Sequence, residues 1–78
     1  EKAEMERGPR CVPPELRLLV LERDGFACVY CGVTGERMHC DHVIPYSRGG
    51  ATKAENLVCA CRACNTSKKD RTPGEWRR

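Results

Sequence analysis

Residues 28–31 read Cys-Val-Tyr-Cys and residues 61–64 read Cys-Arg-Ala-Cys, two C-x-x-C pairs with 29 residues between them. Thiolates at this spacing reach one ion from a single tight turn, so each pair supplies two corners of a tetrahedron. Gly32 follows the first pair and suits such a turn. The segment that a shared ion would clip is longer than in an ordinary zinc ribbon, so it is expected to carry structure of its own. Cys28, Cys31, Cys61 and Cys64 are therefore read as the ligands of a structural Zn²⁺.

Other readings of the cysteines explain less. There are seven in the chain, and an odd number cannot all pair within one molecule. No signal peptide and no long apolar run are visible, so neither secretion nor a membrane span is expected. A cytoplasmic, reducing setting favours metal sites over bridges. A redox C-x-x-C leaves the second pair unexplained. Cys59 is a rival ligand because it shares a strand face with Cys61, but C-x-x-C geometry favours Cys61 with Cys64. Cys40 and Cys59 are then small buried apolar residues. Cys11 has no assignment.

The need for a staple follows from size. A chain of 78 residues makes one domain, at a length where an apolar core alone is marginal. Hydrophobic residues are 40% of it, but seven of these are the cysteines, and aromatics are only 5%. The net charge of +3 permits nucleic-acid binding without demanding it. Its distribution is more telling. Arg62, Lys68, Lys69, Arg71, Arg77 and Arg78 crowd the end of the chain, against only Asp70 and Glu75.

Residues 1–13 are charged, carry Gly8, Pro9 and Pro13, and read as a tail or linker; residues 14–78 read as the domain. Pro13-Pro14 opens a helix. Leu16, Leu19 and Val20 place an apolar face on it, and Gly25 ends it as a left-handed cap. Phe26 to Gly32 is expected as a short strand bent into a metal knuckle. Met38 to Val43 reads as one strand and Leu57 to Ala60 as a second. Thr52-x-x-Glu55 resembles a capping box, with at most one helical turn behind it. Arg62 to Lys69 reads as a short helix. The elements make an α+β fold.

Between and beyond the knuckles lie Asp41-His42, Pro45, Gly49-Gly50, Asn56-Leu57 and Cys64-Asn65 with Lys68. Singly, each has a plain explanation. Asp41-His42 suits a hydrogen-bonded strand end, Asn56 a turn, Asn65 a solvated helix face, and His39 a surface histidine. Together, CVYCG, MHCDHVIPYSRGG and NLVCACRACNTSK, in this register, resemble the HNH nuclease family over residues 14 to about 72. The resemblance implies a ββα-metal (His-Me finger) fold on a four-cysteine zinc scaffold, here with an N-terminal helix. It implies that His42 is the general base, that Asp41 and Asn65 hold a catalytic divalent ion (Mg²⁺ or another such as Mn²⁺), and that Asn56 steadies the inter-strand loop. Asn65 stands where the family has His or Asn, which makes this an H-N-N variant.

These residue types suit phosphodiester hydrolysis. Histidine ionises near neutrality, and Mg²⁺ needs only one or two protein oxygens. The implied partner is DNA, cut on one strand or both. The oligomeric state is left open, with a homodimer among the options. Arg48, Arg62, Lys68, Lys69 and Arg71 are candidate contacts to the phosphate backbone, where they position DNA without reading its sequence. A non-catalytic zinc module that binds nucleic acid is the alternative. It accounts for the cysteines and the basic residues but not for Asp41, His42, Asn56 and Asn65 together.

Overall fold

A computed structural model describes residues 8–76. Two strands, β1 (Met38–His42) and β2 (Leu57–Cys61), form one antiparallel sheet. Helix α1 (Pro14–Arg23) precedes it, and α2 (Arg62–Lys68) and the single turn α3 (Pro73–Trp76) follow. The register pairs Met38 with Cys61, Cys40 with Cys59 and His42 with Leu57. Because successive strand residues face opposite ways, Cys40 and Asp41 serve different layers. Cys40 Sγ lies 3.7 Å from the Arg17 carbonyl of α1, whereas Asp41 meets Lys68 of α2. The chain therefore has an α+β, ββα core with an N-terminal helix.

Helix α1 begins on Pro14 and stops as its glycine requires. Gly25 has φ +67°; its N–H donates to the Glu22 carbonyl and that of Phe26 to Leu21, a Schellman closure. The buried face matches the expected one only in part, since Val20 is buried and Leu16 half-buried but Leu19 is not. Val20 and Leu21 are buried, whereas Leu19 is 53% exposed. The face that meets the sheet runs Arg17, Val20, Leu21, Asp24, and its outer positions are charged. Arg17 Nη2 donates to the Met38 carbonyl (2.8 Å), and Asp24 Oδ2 accepts from the Cys59 N–H (2.9 Å). Apolar periodicity does not reveal a face whose ends are polar.

Phe26 to Gly32 is a run of turns rather than a strand. Two thiols that must meet one ion need the chain to double back. It does so through Gly32 N–H to the Cys28 carbonyl (2.7 Å) and Cys28 N–H to the Val33 carbonyl (3.0 Å). This turn and the end of α1 cover the outer edge of β2. Val29 N–H donates to the Cys59 carbonyl, and Arg23 Nη2 to that of Leu57 (2.6 Å). Edge groups that would otherwise seek another chain are thus paired.

The strands and α2 fall within one residue of their expected bounds. Strand β1 stops at His42, β2 runs on through Cys61, and α2 ends at Lys68, with Lys69 at φ +54°. The core is thin. Leu21, Met38, Ala60, Cys28, Cys59 and Cys61 form its buried cluster. Leu18, Phe26, Val29 and Ile44 remain exposed. No helix among the described residues is long and apolar enough to cross a membrane. The tail reading of residues 1–7 and the charges of Arg77 and Arg78 lie outside the described residues.

Candidate active site and metal cluster

The four paired thiols converge. The sulfurs of Cys28, Cys31, Cys61 and Cys64 all lie within 4.8 Å of one another. Cys31 and Cys61 are 3.7 Å apart, close to the roughly 3.8 Å edge of a tetrahedron with zinc–sulfur bonds of about 2.3 Å. Cys59 is buried in the core and outside the cluster. Cys61 is at once the last residue of β2, the N-cap of α2 and a member of the cluster, and its sulfur accepts from the Cys64 N–H (3.4 Å). Burial pushes the Cys28 thiol up, but the backbone N–H groups of Cys61, Cys31 and Tyr30, with the Cys31 thiol, hold it down to about 6. Burial and the neighbouring thiols push Cys64 up. Thiols so close oppose one another's ionisation, and a bound cation removes that conflict. The donor set and spacing fit a metal ion such as zinc.

At the loop end of β1, Asp41, His42 and Asn65 line a single cleft of about 230 Å³, with Arg10, Cys40, Pro45, Tyr46, Ser47, Lys69 and Asp70. Asp41 is 5% exposed. Its Oδ2 accepts from the Tyr30 hydroxyl (2.7 Å) and lies 3.1 Å from Lys68 Nζ. Among the described residues, Oδ1 has no protein partner, and neither does the side-chain amide of Asn65. Both residues line the cleft and carry hard oxygen donors of the type a small divalent cation takes.

His42 is half-buried. Burial lowers its pKa below the ordinary histidine value. Lys68 and Arg10 lower it further, and the Asp41 carboxylate opposes them. This lowering favours the neutral ring, the form that can accept a proton. Its Nε2 lies 2.8 Å from Thr52 Oγ1, and its ring stands edge-on to Tyr46 with centroids 5.8 Å apart. Thr52 does not cap the turn at Ala54–Asn56, which has no side-chain cap.

Asn56 ties together the loop between the strands. Its Oδ1 accepts from Ile44 N–H (2.9 Å), and its Nδ2 donates to the carbonyls of Ile44 (3.0 Å) and Ala51 (2.9 Å). Gly50 makes this closure possible. A Cβ there would lie 1.7 Å from the Ile44 carbonyl oxygen and 2.8 Å from Asn56 Nδ2.

The expected phosphate contacts divide. Arg62, Lys69 and Arg71 are exposed, and Lys69 lines the cleft. Arg71 also caps α2 through the Ser67 carbonyl (2.6 Å). Arg48 pairs with Glu75. Lys68 departs from expectation: it is fully buried, donates to the His42 carbonyl (2.9 Å) and pairs with Asp41, so it presents no charge to a phosphate. His39 lies opposite Ala60 and away from the cleft. Sequence reasoning misses Arg10, Tyr30 and Thr52. Nothing local marks them, since all three act through contacts distant in the chain.

A two-stranded antiparallel sheet running straight into a helix, its end clamped by four thiols, defines a metal-stapled ββα fold. Residues 28–71 match the HNH endonuclease family model. Over 64 residues (78% of the chain) the sequence is 39% identical to CRISPR-associated endonuclease Cas9 of Actinomyces naeslundii. Over 59 residues (72%) it is 36% identical to the protein of the same name in Corynebacterium diphtheriae. It is also 30% identical over 43 residues (55%) to anaredoxin of Nostoc sp., of which it covers 57%. The chain spans only 6% and 5% of the two Cas9 relatives. It belongs to the HNH endonuclease family.

Proposed function

We propose that this domain hydrolyses phosphodiester bonds in DNA, with His42 as general base, Asp41 and Asn65 holding one divalent ion, and Cys28, Cys31, Cys61 and Cys64 holding a structural zinc. The observation that carries this is the cleft that Asp41, His42 and Asn65 line together. The likeness to proteins named as endonucleases supports nucleic acid as the substrate. Mg²⁺ or Mn²⁺ would supply positive charge for the phosphate and the leaving oxygen.

His42 takes a proton from a water molecule whose oxygen bonds to phosphorus. The bond from phosphorus to the 3′ oxygen breaks, and that oxygen takes a proton from solvent. The products carry a 5′-phosphate and a 3′-hydroxyl. Asn56 keeps the base aimed by holding the loop that packs on it. Arg10, Arg62, Lys69 and Arg71 offer exposed charge to the phosphate backbone, whereas Lys68 steadies Asp41.

The test is plasmid nicking with Mg²⁺, Mn²⁺ or EDTA, beside His42→Ala. Metal-dependent nicking by wild type, reduced at least about a hundredfold in the variant, is expected. Folded, metal-stapled protein that binds DNA and cuts it with neither ion would favour the non-catalytic binding module instead.

A further inference from the structure

Thr52 stands between the candidate base and the segment that precedes α1. Its side chain is buried, and its hydroxyl touches both His42 Nε2 (2.8 Å) and the Pro9 carbonyl. A carbonyl has no hydrogen to give, so the single hydroxyl hydrogen of Thr52 goes to Pro9. The same oxygen meets His42 only as an acceptor. Nε2 must then carry a hydrogen, and in a neutral ring the lone pair sits on Nδ1. Residues 8–10 are held in place for this. The Tyr46 hydroxyl donates to the Gly8 carbonyl (3.0 Å), and the Arg10 guanidinium lies 5.8 Å from the Tyr46 ring centroid.

We propose that Thr52, held by the Pro9 carbonyl, is a positioning residue that fixes His42 as its Nε2–H tautomer and leaves Nδ1 to take the proton from water. The role of Nδ1 rests on the reading of His42 as general base. The tautomer itself does not. During the transfer the water O–H bond breaks, an Nδ1–H bond forms, and the Nε2–H donation to Thr52 is kept. The contact therefore serves the ring in both its neutral and its protonated state.

The chain has only two histidines, His39 and His42, so the ring nitrogens are readily assigned by two-bond ¹H–¹⁵N correlation. The spectra are recorded at about pH 8, above the ordinary histidine value of about 6.5. Wild type and Thr52→Ser should show a pyrrole-type Nε2 and a pyridine-type Nδ1 on His42. Thr52→Val should move both toward the averaged shifts of exchanging tautomers and leave His39 unchanged. Nicking should fall roughly ten- to a hundredfold in Thr52→Val and recover in Thr52→Ser, with equal metal content. A pyridine-type Nε2 in wild type overturns the proposal. So does Thr52→Val with wild-type ring shifts and wild-type nicking. If Thr52→Val does not fold, the wild-type spectrum decides. Wild type with the expected spectrum but no cleavage would sink the nuclease reading and leave the tautomer assignment standing.

Discussion

Lys68 Nζ lies 3.1 Å from Asp41 Oδ2, and the two side chains are 0% and 5% exposed. A pair this deep is governed by desolvation, so removing one partner leaves a buried charge uncompensated. Lys68→Met is expected to lower the unfolding free energy by about 3–5 kcal/mol, measured by urea denaturation with the metal cluster loaded. A loss below about 1 kcal/mol, the range of a surface pair, would show that Asp41 finds another partner.

Asn56 makes three contacts to the backbone of its own loop, at Ile44 and Ala51. Asn56→Ala should cost roughly 1–3 kcal/mol and slow nicking while the cluster keeps its metal. Gly50→Ala should be the harsher change, because its Cβ would fall inside the Ile44 carbonyl. Denaturation of both variants checks the order. Gly50→Ala as stable as wild type would mean that the loop closes some other way.

Asp24 links pH to stability. The hydrogen bond from Arg23 lowers its pKa most; burial opposes this, and the Cys59 N–H adds to the lowering. A depressed carboxylate contributes stability that is present above its unfolded value of about 3.9 and is lost as pH falls through the lower folded value. Melting temperature should therefore drop below about pH 4. Asp24→Asn should be less stable at neutral pH and lose less on acidification. An acid limb identical in the variant and wild type would assign that loss to other carboxylates.

Removing the cluster's metal should unfold the domain. Structural zinc in small domains contributes about 10–16 kcal/mol, as much as the roughly 5–15 kcal/mol stability of a whole protein. The core here is half cysteine by count of its buried cluster. Before chelation, the cluster thiols should resist thiol reagents while exposed Cys11 reacts. After chelation, Cys28, Cys31, Cys61 and Cys64 should join it, with Cys40 and Cys59 of the opened core, as circular dichroism collapses. Retained structure without metal would show that the apolar core suffices.

Local chemistry explains which features are readable from the chain alone. C-x-x-C spacing fixes two thiols on one turn, and the apolar content of residues 38–43 and 57–60 marks strands, so the cluster and the sheet are visible. Leu19 misleads because Arg17 and Asp24 occupy the face that packs, and charged residues carry no apolar period. Lys68 misleads because a lysine is seldom buried, and only the position of Asp41 in space provides for it. Thr52 has a plausible local role as a cap, and a distant histidine takes its hydroxyl instead. Gly8 to Arg10 look like tail by composition, yet Tyr46 and Thr52 hold them.

Cys61 ends the sheet, caps the start of the helix and belongs to the four-thiol cluster. One residue therefore joins all three features. The last rung of the hairpin, opposite Met38, forms against the residue that must also find its ion. Closing the long inter-strand loop has an entropic cost that two short strands repay poorly. The slow step of folding should thus be metal capture, with a rate that rises with free-ion concentration. A cell short of that ion would accumulate unfolded chains rather than folded, metal-free domains.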